Sequence, residues 1–143
     1  MKLADLDAMT EFGARIAARL KPGDVIALSG GLGTGKTTLA RVILRALGHE
    51  GEVPSPTFTI LESYETLEPP VAHADFYRLE DPSEVEQLGL EDYREDAVLI
   101  AEWPDHAGGF AHEAGCLQIA LEIADDGRKA IVTPGKDWLE RLP

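Results

Sequence analysis

The sequence predicts an α/β fold in three layers, with a mostly parallel sheet that carries an antiparallel edge hairpin. Residues 25 to 47 contain an apolar strand-like run, a glycine-rich loop and an amphipathic helical pattern, in that order. Further along the chain, strand-like and helical segments alternate, which is typical of parallel sheets. Near the end, two alternating runs flank Asp126 and Gly127, a strong hairpin signal.

The first helix is predicted to begin after Asp5, whose carboxylate is a suitable N-cap, and to end at "KPGD". Its apolar residues recur at helical spacing: Leu6, Met9, Phe12, Ile16 and Leu20. The run "DVIALSG" predicts a short buried strand, and residues 35 to 47 predict a helix that Gly48 ends. This order places a glycine loop between a strand and a helix.

The later segments predict further strands and turns. "VPSPTFTILESYE" begins with two X-Pro steps, which favour extended backbone, and predicts a loop that leads into a strand. "VAHADFYRL" predicts a strand ending near Arg78, "DPSEVEQLGLEDY" a capped helical turn, and "AVLIAEW" a buried strand ending in an acid. Because no repeat or linker interrupts this pattern, we expect a single domain over residues 1–143.

Charge and cysteine content limit the classes of partner and the compartment. The formal net charge is -13, from 13 Lys and Arg against 26 Asp and Glu. Broad contact with a nucleic-acid backbone depends on neutralising phosphates, so we expect any nucleic acid to be contacted through a partner. The sequence lacks both a long apolar run and a signal-peptide pattern at its start, which predicts a cytoplasmic protein with no membrane contact. The single cysteine, Cys116, is expected to be a buried thiol.

The segment from Gly30 to Thr37 matches the phosphate-loop pattern GxxxxGK[ST], and it lies between a predicted strand and a predicted helix, as the pattern requires. Glycines let consecutive backbone N–H groups converge on a phosphate. Lys36 is expected to reach the β- and γ-phosphates, and the Thr37 hydroxyl to bind Mg²⁺. The predicted nucleotide-binding residues are Gly31, Leu32, Gly33, Thr34, Gly35, Lys36, Thr37 and Thr38.

Hydrolysis also requires an acid near the metal and a group that positions water. Glu102, at the end of a buried strand, is the predicted Mg²⁺ acid; the alternative is an ordinary charged residue at a strand end. In "HADFYR", His73, Asp75 and Tyr77 are predicted to share one face, with Asp75 orienting water, although a hydrogen-bonded surface strand fits the pattern too. Thr57 in "SPTFT" is the candidate γ-phosphate sensor, or part of a rigid turn.

The identity of the nucleotide is inferred by elimination. Guanine-specific P-loop proteins use an Asn-Lys-x-Asp segment, and the chain contains no asparagine. Small-molecule kinases of this class usually carry an arginine-rich lid, whereas residues 89 to 113 contain one arginine, Arg94. ATP is therefore the expected nucleotide, with Mg²⁺ as its metal.

With these residues in place, the chain resembles the TsaE-type P-loop ATPases of bacterial tRNA threonylcarbamoyladenosine synthesis. "GGLGTGKTT", "SPTFTI", "HADFYRL" and "EW" match in order, from about Gly30 to Trp103, with a family-like "LGL-EDY" segment between. The resemblance implies that Thr37 and Glu102 bind Mg²⁺, that Thr57 lies in a switch-like loop, and that Asp75 and Trp103 belong to the site. One departure is Gly31, where many family members carry an acid.

The resemblance also implies how the protein works. It would hydrolyse ATP while bound to a TsaD-type transferase subunit and its TsaB-type paralogue, slowly when alone, and would meet tRNA only through that complex. Two other classes stay open at this point. One is an interaction module that ATP switches without required hydrolysis. The other is a small-molecule kinase.

Overall fold

The computed structural model describes residues 1–54, 56 and 60–143. The strands are β1 (Lys2–Leu3), β2 (Val25–Ser29), β3 (Leu61–Tyr64), β4 (Val71–Asp75), β5 (Val98–Glu102), β6 (Cys116–Ala124) and β7 (Gly127–Pro134). The α-helices are α1 (Leu6–Ala17), α2 (Lys36–Ala46), α3 (Glu84–Gln87) and α4 (Leu90–Arg94). Short 3₁₀ helices occupy Pro104–Ala107 and Lys136–Trp138.

The strands form one sheet in the order β1-β7-β6-β2-β5-β4-β3. The four central strands, β6, β2, β5 and β4, are parallel to one another. Antiparallel strands lie on both sides of them: β7 and then β1 beyond β6, and β3 beyond β4. The predicted fold class is confirmed, and β3 adds an antiparallel edge that the sequence pattern did not predict.

Strand β2 lies in the middle of the sheet and shows why the fold has three layers. Its side chains alternate between the two faces, as in any strand. Ile26 and Leu28 join the cluster formed with α1 and α2, whereas Val25 and Ala27 join a second cluster on the opposite face. Both faces of β2 are thus covered, which explains its continuous apolar run.

Helix α1 begins as the sequence predicts. The Asp5 carboxylate accepts a hydrogen bond from the Ala8 N–H at 2.9 Å. The helix packs against α2 where Gly13 faces Val42, and a β-carbon on Gly13 would collide with the Val42 side chain. This close approach of the two helices fixes α2, and with it the loop that precedes α2.

The β6–β7 hairpin forms, but its turn differs from the prediction. Ala124 pairs with Gly127, so the two-residue turn is Asp125 and Asp126 rather than Asp126 and Gly127. Gly127 is required there for a steric reason and not as a turn residue. A β-carbon on Gly127 would collide with the carbonyl oxygens of the N-terminal segment at residues 3 and 4, which crosses it.

Cys116 is 1% exposed and pairs with Val25 in the parallel sheet, so the predicted buried thiol is confirmed. Burial raises the pKa of this thiol to about 11, with a smaller contribution from the negative charge of Glu113. Among the helices in the described part of the chain, none is long and apolar enough to cross a membrane.

Candidate functional site

The glycine loop joins the carboxyl end of β2 to the start of α2. Gly30, Gly33 and Gly35 adopt positive φ angles of 133°, 76° and 104°. Such backbone is unfavourable for residues with a β-carbon, which explains the glycines at these positions. Gly35 is the N-cap of α2, so the first N–H groups of that helix face the loop. The loop therefore has the backbone shape and the electrostatic polarity of an anion-binding site.

Lys36 is 6% exposed and lies within this loop. Its Nζ donates to the carbonyl oxygens of Gly30 at 3.0 Å and Gly31 at 2.8 Å, and it lies 4.5 Å from the centroid of the Trp103 ring. Burial lowers the pKa of Lys36, while the carboxylates of Glu102 and Asp75 partly oppose that shift. A cation is thus held on the loop by carbonyl groups and by an aromatic face.

Thr37 and Glu102 meet across the site, one at the start of α2 and the other at the end of β5. The Thr37 hydroxyl donates to Oε1 of Glu102 at 2.7 Å. Glu102 is 2% exposed, and its Oε2 lies 2.7 Å from Nε2 of His73 on β4. Both oxygens of this buried carboxylate are therefore held. The sequence pattern around His73 does not predict this contact, because β4 and β5 become neighbours only in the sheet.

Asp75 pairs with Glu102 in the register of β4 and β5, and it is 5% exposed. The predicted strand to Arg78 is wrong, since β4 ends at Asp75. There the Asp75 carboxylate accepts a hydrogen bond from the Tyr77 N–H at 2.9 Å, which turns the chain out of the sheet. Tyr77 consequently does not share a strand face with His73 and Asp75, and it is 46% exposed.

A cleft of about 390 Å³ brings these groups together, in the size range of small-molecule sites. Its lining includes the predicted residues Leu32, Gly33, Gly35, Lys36, Thr37, Thr38, Asp75 and Glu102, together with Tyr77, Trp103 and Arg128. Gly31 and Thr34 complete the loop, where the Thr34 hydroxyl donates to the Gly31 carbonyl oxygen at 2.8 Å. The predicted sensor, Thr57, lies outside the described residues.

Arg128 lines the cleft without having been predicted from the sequence. It lies on β7, and its Nη2 donates to the carbonyl oxygen of Gly33 at 3.2 Å. The two residues are 95 positions apart in the chain, and no local motif marks Arg128. The hairpin signal around it was visible, but only the sheet order β7-β6-β2 shows that this hairpin reaches the glycine loop.

Trp103, which the resemblance places in the site, lies at the cleft. It is partly exposed, has a φ of 54° and lines the cleft. Its ring is 5.0 Å from that of Tyr77 and 5.5 Å from that of His106, centroid to centroid. The rings of Trp103 and Tyr77 line the cleft, with Trp103 beside Lys36, and the His106 ring packs against both.

The oxygen donors fit a magnesium ion, provided that a phosphate supplies further ligands. Mg²⁺ prefers oxygen and is commonly bound by one or two protein groups plus substrate phosphates. The hydroxyl of Thr37 and the carboxylate of Glu102 already converge at 2.7 Å. No group of three or more His, Cys, Asp or Glu side chains within the described ranges could hold a metal by itself. A metal ion beside Thr37 and Glu102 would need further ligands from a bound molecule or from water.

Comparison with known proteins gives consistent matches. The sequence model of the family described as "Threonylcarbamoyl adenosine biosynthesis protein TsaE" matches residues 3–131. The tRNA threonylcarbamoyladenosine biosynthesis protein TsaE of Streptomyces coelicolor is 45% identical over 141 residues, with 91% of this chain and 93% of that protein covered. The protein of the same name from Haemophilus influenzae is 37% identical over 132 residues, covering 88% and 83%.

A solved structure agrees with these sequence relatives. The crystal structure of Bacillus subtilis YdiB superimposes with a TM-score of 0.72 and 28% sequence identity. The superposition covers 94% of this chain and 84% of that one. The shared fold thus extends over nearly the whole of this chain.

Proposed function

The chain belongs to the TsaE family of threonylcarbamoyl adenosine biosynthesis proteins, and from this membership and its glycine loop we propose that it is an ATPase of tRNA modification. Proteins of this family take part in the synthesis of threonylcarbamoyladenosine in tRNA. The proposal is that this chain binds ATP with Mg²⁺ and hydrolyses it. The observation that carries it is the meeting of Thr37 and Glu102 beside Lys36.

In the proposed reaction, the loop N–H groups and the start of α2 hold the phosphates of ATP. Lys36 would exchange the carbonyl oxygens of Gly30 and Gly31 for phosphate oxygens, a strong charge-assisted interaction. That exchange is energetically favourable because a buried ammonium group loses less by leaving two neutral acceptors than it gains by contacting an anion.

Thr37 and Glu102 are the proposed metal-binding pair. When Mg²⁺ is bound, it would neutralise charge on the β- and γ-phosphate oxygens during cleavage. The Thr37 hydroxyl donates its proton to the Glu102 carboxylate, so a lone pair of its oxygen would be free to face that ion. His73 would keep the Glu102 carboxylate in place, since its bond to Oε2 does not involve Thr37.

Asp75 is proposed to position the attacking water, directly or through a metal-bound water. It is buried at the cleft, one strand from Glu102, and its carboxylate is anchored by the Tyr77 N–H. Thr57 is proposed to sense the γ-phosphate. This role rests on its place in the "SPTFT" segment alone.

We propose a TsaD-type transferase subunit and its TsaB-type paralogue as partners, with tRNA contacted through them. The net charge of -13 supports the proposal that the partners, and not this chain, hold the tRNA, because an acidic protein repels the RNA backbone. A partner that orders a loop or supplies a charge can accelerate related NTPases by about 10³ to 10⁵. Turnover by the isolated chain is accordingly expected to be slow.

The test is the rate of ATP hydrolysis by the purified chain, alone and then with the TsaD-type and TsaB-type pair and tRNA. The Lys36→Ala variant serves as the blank. Strong stimulation by the pair supports the proposal, with phosphate released to water. An unstimulated rate with no binding to the pair contradicts the proposed partners. Phosphate appearing on a small-molecule acceptor would instead identify a kinase.

A further inference from the structure

A cleft of about 430 Å³ is lined by residues of α3, α4 and the segment 107–113, and no step of the proposed hydrolysis uses it. We name it the α4 cleft. It shares no lining residue with the phosphate cleft, the one that contains Lys36, Thr37 and Glu102. Residues 89–92 of the family-like "LGL-EDY" segment line the α4 cleft. A molecule bound there would leave the phosphate cleft free for a nucleotide.

The floor of the α4 cleft is apolar and belongs to the core. Leu90 and Phe110 are 3% and 7% exposed, and Val85 and Ala107 pack beside them as partly buried side chains. The Phe110 ring stacks on that of Phe76, with the ring centroids 6.1 Å apart. The floor is therefore held in place before anything binds to it.

The rim of the α4 cleft is acidic. Glu86, Glu91 and Asp92 line the cleft and are exposed to solvent. None of these three carboxylates forms an ion pair with another residue in the described part of the chain. Three negative charges thus stand around an apolar floor, which favours a cationic occupant.

Arg94 shows that a guanidinium group fits the cleft. Its Nη1 donates to Oε2 of Glu113 at 3.0 Å, and its Nη2 donates to Oε1 of the same carboxylate. The guanidinium carbon also lies 5.7 Å from the centroid of the Phe110 ring. A paired carboxylate and an aromatic face are the surroundings that arginine prefers. Because Arg94 is already matched by Glu113, the carboxylates of the rim are available to cations from another molecule.

From the apolar floor and the unpaired rim we propose that the α4 cleft is a docking site for a segment of the TsaD-type and TsaB-type pair, one in which arginine or lysine side chains flank an apolar side chain. The inference rests on the proposed function, because it takes that pair as the partner. Arginine and lysine combine an apolar stem with a charged end, so their stems can cover the floor while their charges meet the rim.

The charge of the rim disfavours two other occupants. An RNA backbone is anionic and would be repelled by the carboxylates. A second copy of this chain carries the same net charge of -13, which opposes its approach to an acidic surface. A basic protein segment meets no such repulsion.

The floor also adjoins a residue beside the proposed water-positioning group. Phe76, on which Phe110 stacks, directly follows Asp75 in the chain, and its N–H donates to the Glu102 carbonyl oxygen at 3.0 Å. The next residue, Tyr77, donates its N–H to the Asp75 carboxylate. A segment seated on Phe110 would therefore stabilise the turn that carries Asp75 without entering the phosphate cleft.

The first experiment measures the affinity of the full chain for the purified pair by calorimetry, with ATP and Mg²⁺ present. The test variant is Glu91→Lys with Asp92→Lys. The matched control is Glu50→Lys with Glu140→Lys, which changes the net charge equally at exposed residues that line neither cleft. We expect the Kd for the pair to rise about tenfold or more in the test variant and less than about threefold in the control.

The same variants separate docking from catalysis. The pair-stimulated rate of ATP hydrolysis is expected to fall in the test variant when the pair is below its Kd, with the unstimulated rate and the affinity for ATP unchanged. Circular dichroism checks that both variants fold. Raising the salt concentration should weaken binding of the natural chain more than that of the test variant, because salt screens charges at an exposed rim.

The location is tested by cross-linking, which does not depend on an energetic effect. Glu86→Cys places a thiol on the rim, and Cys116 is 1% exposed, so a benzophenone maleimide will label the new thiol alone in the folded chain. Irradiation is expected to join this variant to one member of the pair. Glu140→Cys, labelled in the same way, is the control and is expected to form no such cross-link.

The outcomes distinguish the docking site from the proposed function. A natural chain that binds the pair and is matched by the test variant in affinity would overturn the docking site alone. Cross-linking of Glu86→Cys to tRNA or to a second copy of this chain, and not to the pair, would also overturn it. A natural chain that neither binds the pair nor is stimulated by it would overturn the proposed partners and the docking site together.

Discussion

The imidazole of His73 lies 2.7 Å from the carboxylate of Glu102, measured from Nε2 to Oε2, and both side chains are almost completely buried. A carboxylate accepts hydrogen bonds, so this geometry requires the proton on Nε2. Nδ1 of His73 is buried without a hydrogen-bond partner among the residues described. The ring is thus oriented by one strong contact, and that contact is with Glu102.

We expect the Glu102→Gln variant to lose most of its hydrolysis while retaining ATP. The amide keeps the size of the side chain but removes the negative charge proposed to face Mg²⁺. The expected decrease in kcat is about 100-fold or more, with the Kd for ATP changed about threefold or less. Calorimetry and a phosphate-release assay measure the two quantities. Hydrolysis at the natural rate would refute the metal role of Glu102.

His73 is expected to act through Glu102 rather than on the nucleotide. His73→Leu removes the hydrogen bond, and we expect kcat to fall about tenfold with little change in KM for ATP. His73→Gln offers an amide N–H at a similar position and should restore much of the rate. Equal loss in both variants, accompanied by lower thermal stability, would mean that His73 only supports the fold.

Lys36→Ala is expected to abolish detectable ATP binding while leaving the fold intact. The change removes the charge that would contact the β- and γ-phosphates, and its present hydrogen bonds to two carbonyl groups are replaceable by water. Lys136→Ala is the matched control, since Lys136 is exposed in the C-terminal 3₁₀ helix. Calorimetry gives the affinities and circular dichroism checks the fold. Unchanged affinity in Lys36→Ala would contradict the phosphate-loop assignment.

The adjacent glycines Gly30 and Gly31 should respond differently to alanine. A β-carbon on Gly30 would collide with the Leu121 carbonyl oxygen, and the φ of 133° is itself unfavourable for alanine. Gly30→Ala is expected to lower the free energy of unfolding by about 2 to 4 kcal/mol. Gly31 has open space around its β-carbon position, so Gly31→Ala should change that free energy by less than about 0.5 kcal/mol. Urea denaturation of both variants measures the difference.

The thiol of Cys116 should be inert in the folded protein. Its pKa is raised from 9.0 to about 11, so the reactive thiolate is scarce at pH 8, and burial blocks access as well. A thiol reagent such as DTNB is expected to react only after denaturation. Because the folded state holds this proton more tightly, the thiol's contribution to stability falls as the pH rises from 9.0 toward about 11. Rapid labelling of the folded chain at pH 8 would contradict this.

The sequence predicted best the features that depend on residues close together in the chain. The strand, glycine loop and α2 follow one another within residues 25 to 46, and the cap at Asp5 acts on the next turn. The acid at the end of β5 could be proposed from its strand pattern alone. These features depend on backbone preferences and spacing, which a sequence displays directly.

The contacts between distant parts of the chain depend on which strands become neighbours in the sheet. Arg128 reaches Gly33, and His73 reaches Glu102, because β7 and β4 take particular places in the sheet. The end of β4 was misplaced because the Asp75 carboxylate competes for the Tyr77 N–H, an interaction that an apolar pattern does not reveal. The sequence therefore indicated most residues that line the cleft but not the contacts of His73 and Arg128.

The central place of β2 has a consequence during protein synthesis. Its two neighbours, β5 and β6, begin only at Val98 and Cys116. Two residues of the cleft, Glu102 and Arg128, also lie in this later part of the chain. A nascent chain that has emerged only through α2 contains the whole glycine loop but neither flanking strand. Since such distant pairings must close long loops before they stabilise the chain, the ribosome will have made most of the protein before the proposed nucleotide site can form.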